Sequence, residues 1–309
     1  ANEAKGANPT TPRLGAKVNA SRWFEDVSGL AAINRNSFSD ELPHARDWLL
    51  QRLADAGLQT GTHSYTLNSS SCGTTLPDRA LDNPWGFKRG GRLADEWIVI
   101  GGHYDSRNSV RCDGVSNVQP GANDNASGCA GVLELARVFR NVPTERSLLF
   151  ICFSGEEQGL IGSLRYVQDL IAEGRMAQIK HMVNLDMIGH AVSDNLDARV
   201  ETNNAQQALL AVYATAAATY APELNLITSA ATQAYSDHWY FLSQGVPAVF
   251  TWENGAGIYP QYHQVGDVPA AMLRAEAVAG GILKMDTAVL VDQAIASDLL
   301  SDNFEGAAH

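Results

Sequence analysis

The chain has 309 residues, 45% hydrophobic and 18% charged, a balance that buries a substantial core and excludes a disordered chain. Its formal net charge of −12 at pH 7 argues against a nucleic-acid backbone partner, which would want a basic patch. No apolar run reaches the length that spans a bilayer, so no membrane partner is expected.

The start at Ala1, with a polar stretch to Arg13 and no apolar signal core, leads to the expectation of a mature exported protein, secreted or periplasmic. Residues 1–20 read as an extended polar lead-in. Ser21–Leu58 reads as largely helical and His63–Leu67 as an added edge strand. Asn68–Gly91 is rich in Ser, Gly, Pro and Asp and reads as a surface insertion. Trp97–Ile100 is a strand, followed by a long loop to Asn125. A helix over Ser127–Phe139 carries Val132, Leu133, Leu135, Ala136 and Phe139 at helical spacing. Strand Ser147–Phe153, helix Leu160–Ile171, strand Met182–Ile188 and helix Ala205–Tyr220 follow. A short helix at Trp239–Leu242 leads into strand Val246–Thr251, and a final helix runs over Ala270–Leu290. Alternation of this kind predicts an α/β class, with helices on both faces of a mostly parallel sheet. One domain over 21–298 and a tail over 299–309 are expected.

Four cysteines are present. Cys152 lies in an apolar strand and Cys129 opens a helix, so both read as buried free thiols. Cys72 and Cys112 lie in polar stretches and are the pair expected to bridge in an oxidising compartment.

Ligands of open α/β sheets bind beyond the carboxyl ends of the strands, and metal-type side chains gather there. His103 and Asp105 follow Gly101-Gly102, Asp124 precedes a helix, Glu156 and Glu157 end the third strand, Asp186 ends Val-Asn-Leu-Asp, and His263 follows the last strand. Taken singly, each has an ordinary reading as a solvated loop residue, an N-cap or a turn. Two adjacent carboxylates at the end of a buried strand repel each other, which a fold tolerates where a cation neutralises them or one acts as a base. Two imidazoles, three carboxylates and a spare glutamate, with Asp105 beside them, suit Zn(II), with an open position for water.

Gly-Gly-His-Tyr-Asp-Ser, Pro-Gly-Ala-Asn-Asp-Asn-Ala-Ser-Gly, Ser-Gly-Glu-Glu-Gln-Gly-Leu-Ile-Gly-Ser and Asn-Leu-Asp-Met-Ile-Gly occur in that order. This set resembles the di-zinc aminopeptidases, the secreted bacterial leucyl aminopeptidases most of all. Ser236-Asp237-His238 and Tyr262-His263-Gln264 extend the likeness over roughly Ser21–Leu290.

The resemblance implies the three-layer α/β/α zinc-exopeptidase fold and two Zn²⁺ per chain. Asp124 bridges the metals, with His103 and Asp186 completing one site and Glu157 and His263 the other. Asp105 orients His103 by accepting its far N–H, and Glu156 is the general base. The Asp124–Asn125 bond is expected to be cis. Tyr262 is the first candidate to stabilise the oxyanion and Tyr235 the second. Glu156 and Asp186 help hold the substrate's α-amino group. Met187, Ile188, Trp239, Tyr240 and Phe241 are candidates for a side-chain pocket favouring large apolar residues such as Leu, each with an equal claim to the core. Asp237-His238 supports the site from behind or caps its helix.

The expected partners are peptides with a free N-terminus, acted on by a monomer. Two rival readings share the fold: a glutaminyl cyclase with a single zinc, and a non-enzymatic binding ectodomain. Every ligand position is filled here, which counts against the second.

Overall fold

The computed structural model describes residues 10–73, 76–116, 118–253 and 258–295. Among these, eight strands form one mixed sheet in the order β1-β2-β4-β3-β5-β8-β6-β7. The strands are β1 (Gln59–Leu67), β2 (Arg79–Lys88), β3 (Leu93–His103), β4 (Arg146–Phe153), β5 (Ile179–Leu185), β6 (Leu196–Glu201), β7 (Leu224–Ser229) and β8 (Ala248–Glu253). The central four, β4, β3, β5 and β8, run parallel. β1 and β2 add an antiparallel hairpin at one edge, and β6 joins β8 antiparallel at the other, with β7 parallel to β6.

Helices cover both faces, as the sequence predicts. They are α1 (Thr10–Gly15), α2 (Ala20–Ala31), α3 (Leu42–Asp55), α4 (Ser127–Phe139), α5 (Ile161–Ala172), α6 (Ala208–Tyr220), α7 (His238–Ser243) and α8 (Ala275–Ala294). Every β4 residue except Arg146 is buried, which a strand covered on both sides requires. Its alternation divides the core. Leu148, Phe150 and Cys152 pack in the layer built by α2, α3, α4, α6 and α8, while Leu149, Ile151 and Phe153 meet α5 and α7. Each fully buried Leu, Ile or Phe contributes about 1.5–3 kcal/mol of transfer energy. The parallel strands therefore sit on a stiff base with their carboxyl ends aligned.

Several expectations change. Asn68–Gly91 is not simply a surface insertion, because Arg79–Lys88 pairs with β1 on one side and through Trp85–Lys88 with β4 on the other. Asn83, Pro84 and Gly86 punctuate that strand and hide its period of two. The strand expected at Met182–Ile188 is Ile179–Leu185, so Asp186, Met187 and Ile188 lie beyond its end. The final helix begins at Ala275, after the short turn Pro269–Ala271. Thr10–Gly15 is helical where extended chain was expected; residues 1–9 and the tail 299–309 lie outside the described residues. Cys129 and Cys152 are not free thiols: α4 starts over β4, bringing their Cα atoms to 5.9 Å, and they form a disulfide. Cys72 and Cys112 form the second, with Cα atoms 6.1 Å apart.

Candidate metal centre and active site

β3 ends at His103 after two glycines that let the backbone pack closely. A Cβ on Gly102 would lie 2.5 Å from the Leu185 carbonyl oxygen, so only glycine allows the end of β5, and hence Asp186, so near. β4 ends in Ser154-Gly155, where Gly155 has φ +65° and its Cβ would strike the Tyr65 hydroxyl. That turn delivers Glu156 and Glu157 to the same place. Asp124 comes from an irregular turn at Ala122–Ala126, whose Asp124–Asn125 bond is cis, as the resemblance implies. His263 arrives from the loop after β8, with φ +56°.

The geometry centres on Asp124. Its Oδ1 lies 3.2 Å from His103 Nε2, which is also 3.5 Å from Asp186 Oδ1. Its Oδ2 lies 3.1 Å from His263 Nε2, which is 3.2 Å from Glu157 Oε2. Two three-residue groups thus share one carboxylate: His103, Asp124 and Asp186, and Asp124, Glu157 and His263. Within each, the candidate donor atoms all lie within 4.8 Å of one another. Glu157 Oε1 is buried with no hydrogen-bond partner among the described residues, and Asp124 Oδ2 and Asp186 Oδ1 are buried against imidazole nitrogens alone. Buried carboxylate oxygens without donors are costly, and a cation held between them removes the cost. Mixed imidazole and carboxylate ligation fits zinc.

Electrostatics without a cation agree. Burial lifts Glu156 well above the ordinary carboxyl range against the pull of His103, with Glu157 and Asp186 adding repulsion. Burial, then the charge of Asp124, pushes Glu157 up to about 7. Burial also opposes ionisation of Asp124, but hydrogen bonds from His103 and His263 prevail and hold it below its usual value. Burial lowers His263, yet its bonds to Asp124 and Glu157 raise it to about 9. Raised acids beside raised histidines mark a cluster whose carboxylates are costly to ionise together.

The two glutamates diverge. Glu156 faces a cavity of about 370 Å³ lined also by His103, Asp124, Asp186 and His263, whereas Glu157 turns away toward His263. Asp105 holds the pair by accepting the Glu156 N–H at 3.2 Å and the Glu157 N–H at 3.1 Å. His103 Nδ1 lies 3.1 Å from the Asp105 backbone carbonyl and 3.4 Å from its carboxylate, so Asp105 touches the imidazole as well as the two glutamates.

Met187 and Tyr235 line the cavity, as does Tyr262, whose ring stacks on His263 with centroids 3.6 Å apart. Ile188 does not: it is fully buried in the core, against the Gly131 position. Phe241 likewise belongs to the core, and Trp239 and Tyr240 line no part of the cavity. Several participants escaped the sequence reading. Arg199 and Glu201 on β6, ion-paired at 3.1 Å, and the stacked rings of Phe250 and Trp252 on β8 form one wall. Ser236 donates to Asp186 Oδ2 at 2.6 Å, and Asp267 accepts the N–H groups of Asn123 and Asp124 at 2.8 and 3.0 Å. The Ser236-Asp237-His238 motif marks Ser236, whereas His238 stands apart from the ligands. That histidine is buried, bonded to Thr232 and stacked on Phe250, and burial lowers its pKa to about 3. A second cavity, about 390 Å³ between Trp85, Phe87, Trp97 and α5, touches none of these residues.

Among proteins of known kind, Aminopeptidase YwaD of Bacillus subtilis (strain 168) is 37% identical over 109 residues, 35% of this chain and 22% of its own. The matched stretch spans between 22% and 24% of the length of three curated relatives that the chain matches. The solved structure of BSAP, a zinc aminopeptidase from Bacillus subtilis, superposes with a TM-score of 0.76 at 16% identity, over 90% of this chain and 96% of that one. Macrostomum lignano glutaminyl cyclase superposes with a TM-score of 0.73 at 16% identity, over 93% and 95%. At such identities the superpositions establish the fold. Residues 87–279, which include every residue of the two three-residue groups, match Peptidase family M28, and the chain belongs to that family.

Proposed function

We propose that this protein is a zinc-dependent aminopeptidase that removes the N-terminal residue of peptides with a free α-amino group. The observation that carries the reading is the pair of ligand groups sharing Asp124, with a further glutamate, Glu156, facing the cavity beside them. His103, Asp124 and Asp186 would hold one zinc ion, and Asp124, Glu157 and His263 a second. Zinc bound there supplies Lewis-acid activation of a water and of the scissile carbonyl.

The chain's own residues do the rest. Glu156 takes the proton of the attacking water and returns it to the leaving amine, work worth about 10²–10⁴-fold in rate. Asp105 fixes the backbone of both glutamates, so base and ligand keep their spacing. Glu156 and Asp186 present negative charge to the substrate's ammonium group. Tyr262, against His263, is the first candidate to donate to the oxyanion, and the more exposed Tyr235 is the second. Met187, Phe250, Trp252 and Ile258 give the cavity an apolar lining suited to a large N-terminal side chain such as leucine. Two disulfides support an oxidising compartment, secreted or periplasmic, and no helix among the described residues is long and apolar enough to cross a membrane. The reading includes a monomer built from one catalytic domain.

A glutaminyl cyclase with a single zinc is the second reading, supported by the likeness in fold to that enzyme. Two complete ligand groups weigh against it. The deciding experiment incubates the protein with a leucyl anilide before and after chelation. Leucine release that stops with the chelator and returns with zinc is expected. Cyclisation of an N-terminal glutamine without leucine release would favour the rival.

A further inference from the structure

Between α5 and the strands β1 and β2 lies the second cavity, about 390 Å³, a volume that suits a small ligand. No member of the two ligand groups lines it. Its floor is aromatic. Trp85, Phe87 and Trp97 pack against the core of that layer yet stay only partly buried, and the Phe87 and Trp97 centroids are 4.9 Å apart. Gly61 stands directly across from Trp85 in the β1-β2 ladder, and a Cβ there would strike the indole. The missing side chain lets the Trp85 ring lie over the β1 backbone.

The rim is charged, and its charges do not cancel. Arg175 is fully engaged: it donates to Glu173 at 2.8 Å and to Gln178 at 3.0 Å, with its guanidinium 4.6 Å from the Trp97 ring centroid. Asp169 differs. Its ion-pair partner among the described residues is His63, at 2.8 Å. Asn83 fixes the form of that histidine. Its Oδ1 accepts the Ser154 N–H at 2.8 Å, which leaves its Nδ2 to donate to the Gly162 carbonyl at 3.1 Å and to His63 Nδ1 at 3.0 Å. A ring nitrogen that accepts carries no proton, so the proton sits on Nε2. His63 therefore gives Asp169 a hydrogen bond but no positive charge. Two carboxylates and one guanidinium leave the cavity with a surplus negative charge beside aromatic faces that are themselves electron-rich.

We infer that this cavity binds an organic cation, a free quaternary ammonium ion or the guanidinium end of an arginine side chain. Arg175 over Trp97 is the same contact made within the chain. The ligand lays its apolar body on Trp85 and Phe87 and turns its charge toward Asp169. Recognition of this kind needs no metal and stands apart from the peptidase reading.

The test titrates the full chain calorimetrically with two pairs of probes that match in shape and differ in charge. Choline is set against 3,3-dimethylbutanol, and N-acetylarginine amide against N-acetylcitrulline amide. The acetyl group removes the α-amine, so neither amino-acid probe offers a substrate's ammonium group to the metal centre. At least one cation is expected to bind about tenfold more tightly than its neutral twin, as a partly desolvated cation–π contact would give. A preference confined to choline assigns the cavity to free quaternary ions, and one confined to the arginine pair assigns it to side chains. Asp169→Asn keeps an acceptor for His63 and should reduce the preference several-fold, with the melting temperature reporting that the fold is intact. Trp85→Leu should weaken the cation more than its neutral twin. Equal affinities within both pairs, no binding of either cation at millimolar concentration, or a preference that Asp169→Asn left unchanged would overturn the proposal.

Discussion

The chain buries acids in two very different ways. At the carboxyl ends of the strands, four carboxylates meet two histidines, with Asp124 within 3.2 Å of each. On α8, in the opposite layer, Asp286 is fully buried with neither oxygen bonded among the described residues. Nearby, the Tyr213 hydroxyl meets His181 at 3.0 Å, and burial holds that histidine at a pKa of about 4, neutral at pH 7. Burial alone pushes Asp286 well above the ordinary carboxyl range. Buried acids therefore do not make a site. Convergence does: in the first region carboxylates from strand ends and a turn face one small space, and in the second a lone carboxyl is shifted by burial alone.

The largest way to break that contrast is to remove the shared carboxylate. Asp124→Ala should lose zinc from both groups and at least about 10³-fold in kcat/KM, since ligation and activation fall together. Metal analysis beside kinetics checks it. A variant that still held both ions would show that the two groups are independent.

A smaller effect is expected at Asp286. Its folded-state pKa is raised, so the folded protein holds a proton that the unfolded chain releases. Stability contributed by the neutral carboxyl is complete below about pH 4 and falls as pH rises toward the folded value. Asp286→Asn lacks that slope and should gain on the natural protein by up to about 1.4 kcal/mol for each pH unit between 5 and 8. Thermal melts at both pH values measure it. A constant difference between the two proteins would mean that Asp286 has a partner when folded.

Much of the site was legible because metal chemistry constrains residue type and strand ends constrain place. His103, Asp124, Glu156, Glu157, Asp186 and His263 each stand where an apolar strand or a helix start announces itself. The cavity wall was not legible. Arg199 and Glu201 lie on Leu-Asp-Ala-Arg-Val-Glu, whose three charges hide its strand character. They become a wall only because β6 pairs antiparallel with β8, setting Arg199 across from Trp252 and Glu201 across from Phe250. Ile188 failed for the converse reason: it neighbours Asp186 in sequence, but the positive φ of Met187 turns the chain and sends it into the core. The Cys129–Cys152 bridge depends on the crossing of α4 over β4, which a separation of 23 residues does not disclose.

The central claim is that adjacent glutamates divide their labour, Glu157 on a metal and Glu156 on the proton of the attacking water. Zinc content and leucyl-anilide turnover of Glu156→Gln, measured on one preparation, test it most directly. The account predicts the zinc of the natural protein with turnover reduced by about 10²–10⁴-fold. Loss of zinc from that variant, or turnover close to that of the natural protein, would contradict it.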